Sequence, residues 1–400
     1  MNPSKIRVFV ISLILLFAAV LFVRQATAQQ NAASATDSRP RAHDLGLAFG
    51  LDDPGPKNAI TDVPGVLVGQ VTISQGDNVR TGVTAIRPHP GNLFQDKVAG
   101  AVFVYNAFGK LVGSTQVNEL GQIETPIVLT NTLGVWDAAR AVAAWTLAQP
   151  GNENVQSVNP LIGETNDGWL NDIRGFHVKA EDVVRALREA TNSTVEEGSV
   201  GAGTGTIAFG WKGGIGTSSR HLPEKEGGFT IGVLAQTNFG GRLTIAGVPV
   251  WKDLKPTQDA LRRGLIPKGI HGDPPTRNSA DGSCMIVVAT DAPLDSRQLR
   301  RLAARAILGM ARVGGTGSNG SGDFVVAFST TNRTAYGVPS TQPLALLGED
   351  SLSPLFEAVI DATEEAIVNS LLRATSVHGF HNHRVDALPI PQLRHLLQAR

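Results

Sequence analysis

A serine that follows a glycine where a polar loop turns into an apolar strand can attack its own chain. Residues 271–294 read HGDPPTRNSADGSCMIVVATDAPL, a turn-rich loop running straight into a core strand, with Gly282-Ser283 at the junction. The Ser283 hydroxyl can attack the preceding carbonyl, an N-to-O acyl shift gives an ester, and water then frees a new N-terminal serine. That residue would hold a nucleophile and a base together, because a free α-amino group titrates near pH 8 and can take the hydroxyl proton. A plain strand edge after a loop explains the same letters. The other polar residues have to decide between the two.

Several polar residues could complete such a site. Glu164 opens Glu-Thr-Asn-Asp-Gly after an apolar run ending in Gly163; a carboxylate at a strand end suits a ligand ammonium, and a solvated loop charge is the alternative. Asn238 closes an apolar strand before Phe239-Gly-Gly and could donate its amide to an oxyanion, although Asn before Gly is also turn chemistry. Ser321 and Asp323, two apart in an extended Gly-Ser-Gly-Asp segment, should share one face and could orient Ser283 through its amine or hydroxyl. Gly210–Arg220 is rich in glycines and hydroxyls that could line a pocket or form a hairpin. Gly201-Ala-Gly-Thr-Gly-Thr lacks the Gly-Lys-Ser/Thr ending of a phosphate loop and the dinucleotide spacing. His378, His381 and His383 lie in a tail read as irregular, without a carboxylate at ligand spacing, so no metal site is expected.

The elements that must hold these residues follow from periodicity. Strand-like runs cover 66–73, 82–86, 99–105, 126–130, 206–211, 230–236, 285–290 and 324–329, several apolar on both faces. Helical spacing appears over Val135–Leu147, 180–190, 296–311 and 355–375, the third with Asp295 as N-cap. Strands mixed with a few long helices fit a layered α/β or α+β domain with two sheets inside.

Composition excludes other classes. Lys+Arg and Asp+Glu both number 35, so no basic stripe points to nucleic acid. Cys284 is the single cysteine, read as a packed core thiol facing away from Ser283. Lys5 and Arg7, an apolar run over 8–23 and Ala26-Thr-Ala28 read as a cleavable export signal over residues 1–28, with an uncleaved membrane anchor as the alternative that the Ala-x-Ala ending disfavours. The mature protein is therefore expected in the periplasm or secreted, without a stable membrane anchor.

In chain order, Ile60-Thr-Asp-Val-Pro-Gly65, Gly163-Glu-Thr-Asn-Asp-Gly168, Gly213-Gly-Ile-Gly-Thr-Ser-Ser219, Asn238-Phe-Gly240, Gly282-Ser283 with Ala289-Thr-Asp-Ala-Pro293, and Gly320-Ser-Gly-Asp323 span the mature chain. Together they resemble the self-processing serine aminopeptidases of peptidase family S58, which include L-aminopeptidase/D-esterase and the β-peptidyl aminopeptidases. The resemblance implies an α+β fold, a four-layer αββα sandwich shared with the ornithine acetyltransferases. It also implies self-cleavage into a large chain (29–282) and a small chain (283–400) that stay associated. By the same resemblance Ser283 is the nucleophile, Asn238 the oxyanion donor, Glu164 the binder of the substrate's free amine, and Ser321 the partner that positions the nucleophile. Asp323 falls where some members carry glutamate. Asn278-Ser279 offers an alternative cleavage site; Ser283 is preferred because it abuts the strand. The expected reaction removes N-terminal β-amino acids from short peptides, amides or esters, without metal or organic cofactor. Oligomers of αβ units are implied as well. Hydrolysis of L- or D-α-amino acid amides is the nearest alternative, and a non-catalytic periplasmic amine- or peptide-binding protein is the alternative of another class.

Overall fold

Apolar alternation builds two sheets face to face. In this computed structural model the residues described are 39–256, 282–337 and 341–399, and those from Arg41 onward belong to one compact unit. The export segment and the alternative cleavage pair Asn278-Ser279 lie outside the described residues.

The strands in order are β1 (Leu67–Gln75), β2 (Val79–Arg87), β3 (Asp96–Ala107), β4 (Leu111–Val112), β5 (Gln122–Ile123), β6 (Ile127–Asn131), β7 (Leu161–Thr165), β8 (Ile207–Ala208), β9 (Trp211–Lys212), β10 (Gly214–His221), β11 (Thr230–Asn238), β12 (Ser283–Thr290), β13 (Gly322–Ala335), β14 (Val377–Gly379) and β15 (His383–Val385). The α-helices are α1 (Ser114–Leu120), α2 (Val135–Leu147), α3 (Ala180–Arg188), α4 (Ser296–Arg312), α5 (Ser353–Arg373) and α6 (Ile390–Gln398). One sheet runs β1-β2-β6-β7-β4 and the other β10-β11-β12-β13-β3-β5.

Between the sheets, Ile127, Leu129 and Leu161 meet Leu234, Met285, Val287, Phe324 and Val326. Outside the first sheet, α2 and α3 pack Val135, Ala138, Val142, Val183 and Leu187 on Val83 and Val128. Outside the second, α4 and α5 cover Val233, Ile286, Val288 and Val325. The α4 residues buried there, Leu299, Leu302, Ala303, Ala306 and Met310, recur at helical spacing. Asp295 caps this helix, accepting the Gln298 N–H at 2.7 Å. The layers are therefore αββα, as expected.

Three segments differ from the sequence reading. Residues 206–211 do not form one strand: Phe209 (φ 54°) and Gly210 (φ 80°) turn the chain between the short β8 and β9. The glycine- and hydroxyl-rich run after Gly213 is the buried strand β10, which pairs antiparallel with the next strand, β11, as one arm of a hairpin. Its hydroxyls are used internally, Thr217 donating to Val233 O at 2.7 Å and Ser218 to Ala362 O at 2.6 Å. Gly216 explains the composition, since a Cβ there would lie 1.8 Å from Ala366 O on α5. The C-terminal tail is not irregular either; it forms the β14–β15 hairpin and α6. His383 stacks on Trp169 at 3.8 Å and bonds its carbonyl at 2.8 Å through Nδ1. Among the described residues no three His, Cys, Asp or Glu side chains form a ligand cluster.

Candidate active site

Strand ends bring the candidates together. β11 finishes at Asn238 directly opposite Ser283, where β12 begins, and Ser283 pairs in parallel with Gly322 at the start of β13. Gly322 in turn faces Ala107 at the end of β3. One end of three neighbouring interior strands of the second sheet thus carries Asn238, Ser283 and the Ser321–Asp323 segment. Each of these is at least nine-tenths buried.

The chain is continuous through the Gly282–Ser283 bond, and the local geometry bears on that bond. Ser283 Oγ donates to Gly282 O at 2.6 Å, and the Gly322 N–H donates to the same oxygen at 3.0 Å. The carbonyl next to the hydroxyl is therefore already polarised by a backbone donor. Gly282 must be glycine for this approach: a Cβ would lie 2.1 Å from Asn238 O.

Ser321 and Asp323 share a face as expected, and Ser321 Oγ donates to Asp323 Oδ1 at 2.8 Å. Neither bonds the Ser283 hydroxyl, whose partner is Gly282 O. Strand alternation is the reason. Met285 and Val287 face the layer between the sheets, whereas Cys284, paired with Asp323, faces the helices with Ile286 and Val325. The serine–aspartate pair thus lies on the helix side of the sheet, the face opposite the Ser283 side chain. Burial raises Asp323 from its ordinary 3.8 to about 6, with bonds from Ser321 and the Cys284 amide pulling the other way. Its Oδ2 is buried without a partner among the described residues. Cys284 is a fully buried core thiol, as read, and burial pushes it well above its ordinary value.

Asn238 Oδ1 accepts the Ile207 N–H at 2.9 Å. That bond fixes the amide oxygen and leaves the two Nδ2 hydrogens to donate elsewhere.

Glu164 stands in β7 of the other sheet, 3% exposed. Its Oε1 accepts the Lys110 N–H at 3.0 Å and lies 3.7 Å from Lys110 Nζ, while Oε2 accepts the Thr132 hydroxyl. Burial raises its pKa, and the Thr132 and Lys110 contacts oppose the rise. A Cβ on Gly109 would lie 3.3 Å from Glu164 Oε1 and 3.2 Å from Gly322 Cα. The carboxylate therefore reaches the neighbourhood of the Ser283 strand pair across the two sheets. Sequence reasoning found Glu164 but not Lys110 or Thr132. Both come from other loops, and only the fold brings them to it.

A serine heading a core strand, its own preceding carbonyl under its hydroxyl, in a four-layer αββα sandwich, defines a hydrolase of the N-terminal-nucleophile fold. The chain belongs to peptidase family S58, whose model matches residues 58–385, and its activity class is aminopeptidase. It is 41% identical over 390 residues to the β-peptidyl aminopeptidase BapA of Sphingosinicella microcystinivorans, covering 92% of this chain and 94% of that one. Among solved structures, the β-aminopeptidase of a Burkholderia species superposes with a TM-score of 0.80 at 39% identity, covering 90% of this chain and 99% of that one. The L-aminopeptidase D-Ala-esterase/amidase of Ochrobactrum anthropi, described as a prototype of the serine aminopeptidases and a variant of the Ntn hydrolase fold, gives 0.80 at 37% identity with the same coverage.

Proposed function

We propose that this protein cuts itself at Gly282–Ser283 and then removes N-terminal β-amino acids from short peptides, amides or esters. The observation that carries the reading is Ser283 at the head of β12, its Oγ 2.6 Å from the oxygen of the carbonyl it would attack. In maturation Oγ adds to the Gly282 carbonyl carbon, and the Gly322 N–H meets the developing oxyanion. The C–N bond then breaks as the Ser283 nitrogen gains a proton. Water hydrolyses the resulting ester, leaving a Gly282 carboxylate and a free serine amine.

In turnover the substrate ammonium binds Glu164, displacing the Lys110 ammonium from that carboxylate. The Ser283 amine takes the hydroxyl proton as Oγ attacks, and Asn238 Nδ2 stabilises the tetrahedral oxyanion. The same amine returns the proton to the leaving nitrogen, and water releases the acyl group. Ser321, bonded to Asp323, orients the amine from the helix side. The Sphingosinicella relative is a β-peptidyl aminopeptidase and the Burkholderia one a β-aminopeptidase, which favours β-amino acids over α-amino acid amides here. We place the mature enzyme in the periplasm or outside the cell, as an oligomer of αβ units. No helix among the described residues is long and apolar enough to cross a membrane.

The test is intact mass and N-terminal sequencing, followed by hydrolysis of β-alanine and L- and D-alanine amides. The expected result is two chains, the smaller beginning Ser-Cys-Met-Ile, and preferred hydrolysis of the β-alanine amide. A small chain beginning Ser-Ala-Asp-Gly would move the nucleophile to Ser279. A single uncut, inactive chain would refute the reading and favour a binding protein.

A further inference from the structure

A buried lysine behind the site takes no part in the reaction above. Lys212, in β9, is 0% exposed, and its Nζ donates to Gly203 O and to Gly213 O, both at 2.8 Å. No carboxylate among the described residues lies within ion-pair distance of it. A buried charge without a close partner is costly, so the two carbonyls that Lys212 binds must satisfy it. Asp167 is the carboxylate that acts on it from farther away, and its own Oδ2 is buried without a hydrogen-bond partner among the described residues. Burial draws both toward the middle of the scale, Lys212 down and Asp167 up, each to about 7.

The two carbonyls it binds belong to the two sides of one loop closure. Gly203 lies in the turn Gly201–Gly203, and Gly213 joins β9 to β10 while donating its N–H to Thr206 O at 3.1 Å. The next residue after Thr206 is Ile207, whose N–H is the donor on Asn238 Oδ1. Phe209 N–H then bonds Phe239 O at 2.8 Å, tying the same loop to the residue after Asn238.

An asparagine amide is nearly symmetric in shape, and only its hydrogen bonds decide which end is oxygen and which is nitrogen. A backbone N–H accepts nothing, so Ile207 can be satisfied only by Oδ1. If the loop relaxed, the amide could turn over and offer lone pairs where donors are needed.

We infer that Lys212 is a positioning residue for the oxyanion donor: through Gly203 and Gly213 it holds the loop over 201–207 so that Ile207 pins Asn238 Oδ1 and leaves Nδ2 to donate. The inference rests on the reading of Asn238 as oxyanion donor, and the experiment separates the two. Wild type, Lys212→Met, Asn238→Ala and the double variant are compared on a β-alanine amide. Rates are expressed per mole of cut chain by intact mass, with thermal unfolding in parallel. Asn238→Ala should lower kcat by about 100- to 1,000-fold. Lys212→Met should lower kcat by about 10- to 100-fold with KM changed less than about threefold, and should cost less than about threefold once Asn238 is already alanine. The same lysine loss in both backgrounds, or a loss carried by KM, would overturn the inference and leave the oxyanion reading intact. A normal kcat for Asn238→Ala would overturn both. If Lys212→Met does not fold, Lys212→Gln, a shorter neutral donor, should show a smaller loss with the same dependence on Asn238; additivity there overturns the inference equally.

Discussion

Replacing Gly282 by alanine should stall maturation while sparing the mature enzyme. The added Cβ would sit 2.1 Å from Asn238 O and 2.7 Å from Phe239 Cα, both backbone atoms. Carbon–oxygen contacts settle at about 3.3 Å or more, so one side must give by about 1 Å. β11 resists, because it is paired along its length with β10 on one side and β12 on the other. The displacement therefore falls on residue 282, the residue whose carbonyl Ser283 must attack. Misplacing reacting atoms by about 1 Å costs on the order of 100-fold, or about 2.7 kcal/mol of barrier. Intact mass followed over time after synthesis gives the processing rate directly. The expected Gly282→Ala half-life is about 100 times the wild-type value, with the unfolding temperature of an uncut Ser283→Ala background little changed by the second substitution. Once cut, Gly282→Ala should hydrolyse substrate at close to the wild-type kcat, since residue 282 is then only a chain end. Processing of Gly282→Ala at the wild-type rate would refute the geometric argument.

Two further outcomes test the substrate side and the pair behind the nucleophile. Glu164→Gln keeps the size and removes the charge that would hold the substrate ammonium; a lost charge-assisted bond of about 1.5–3 kcal/mol should raise KM by roughly 10- to 100-fold with a smaller effect on kcat, and an unchanged KM would count against Glu164 as the amine site. An ionised Asp323 accepts the Ser321 hydroxyl more strongly than a protonated one, so kcat should carry a component that falls as pH drops through about 6, beside the limb set by the Ser283 amine, and Asp323→Asn should remove that component alone. Stability runs the opposite way: the folded value lies above the ordinary 3.8, so the folded chain keeps the proton longer than the unfolded one. Asp323 should therefore weaken folding as pH rises from about 4 to 6, which unfolding temperatures of wild type and Asp323→Asn will show as a converging difference at low pH.

The sequence made the frame of the site legible where pattern and position act locally. Helix α2 falls on its expected residues because its apolar spacing is uninterrupted, and Ser283 heads its strand because the loop gives way to apolar residues without a spacer. That Ser321 and Asp323 share a face was legible from their two-residue spacing, whereas their bond to each other was not. β10 was not legible, because glycines that admit α5 and hydroxyls that serve buried carbonyls imitate the letters of a loop. The partners of Glu164 were beyond reach for a different reason. Lys110 and Thr132 stand far from it in the chain, and no local pattern marks the place where the loops after β3 and β6 converge on β7.

Maturation and turnover ask the same thing of this site, and the uncut chain explains why one arrangement can serve both. In the proposed maturation Gly282 O is the oxygen of the attacked carbonyl, with the Ser283 hydroxyl beside it and the Gly322 N–H on it. Before cleavage the Ser283 nitrogen is an amide and cannot act as a base, so this first attack has to rely on proximity and on the polarised carbonyl. After the proposed cleavage the nitrogen would become an amine, able to act as base for attack on an outside carbonyl. The groups needed only in turnover should then be those that do not touch Gly282. Glu164 is one, held across the sandwich by Lys110 and Thr132 rather than by the cleavage junction. Substitution there should leave self-cleavage at its normal rate while impairing hydrolysis, whereas substitution at Ser283 should abolish both. A precursor of Glu164→Gln that failed to cut itself would mean that the two reactions share more of the site than the geometry divides.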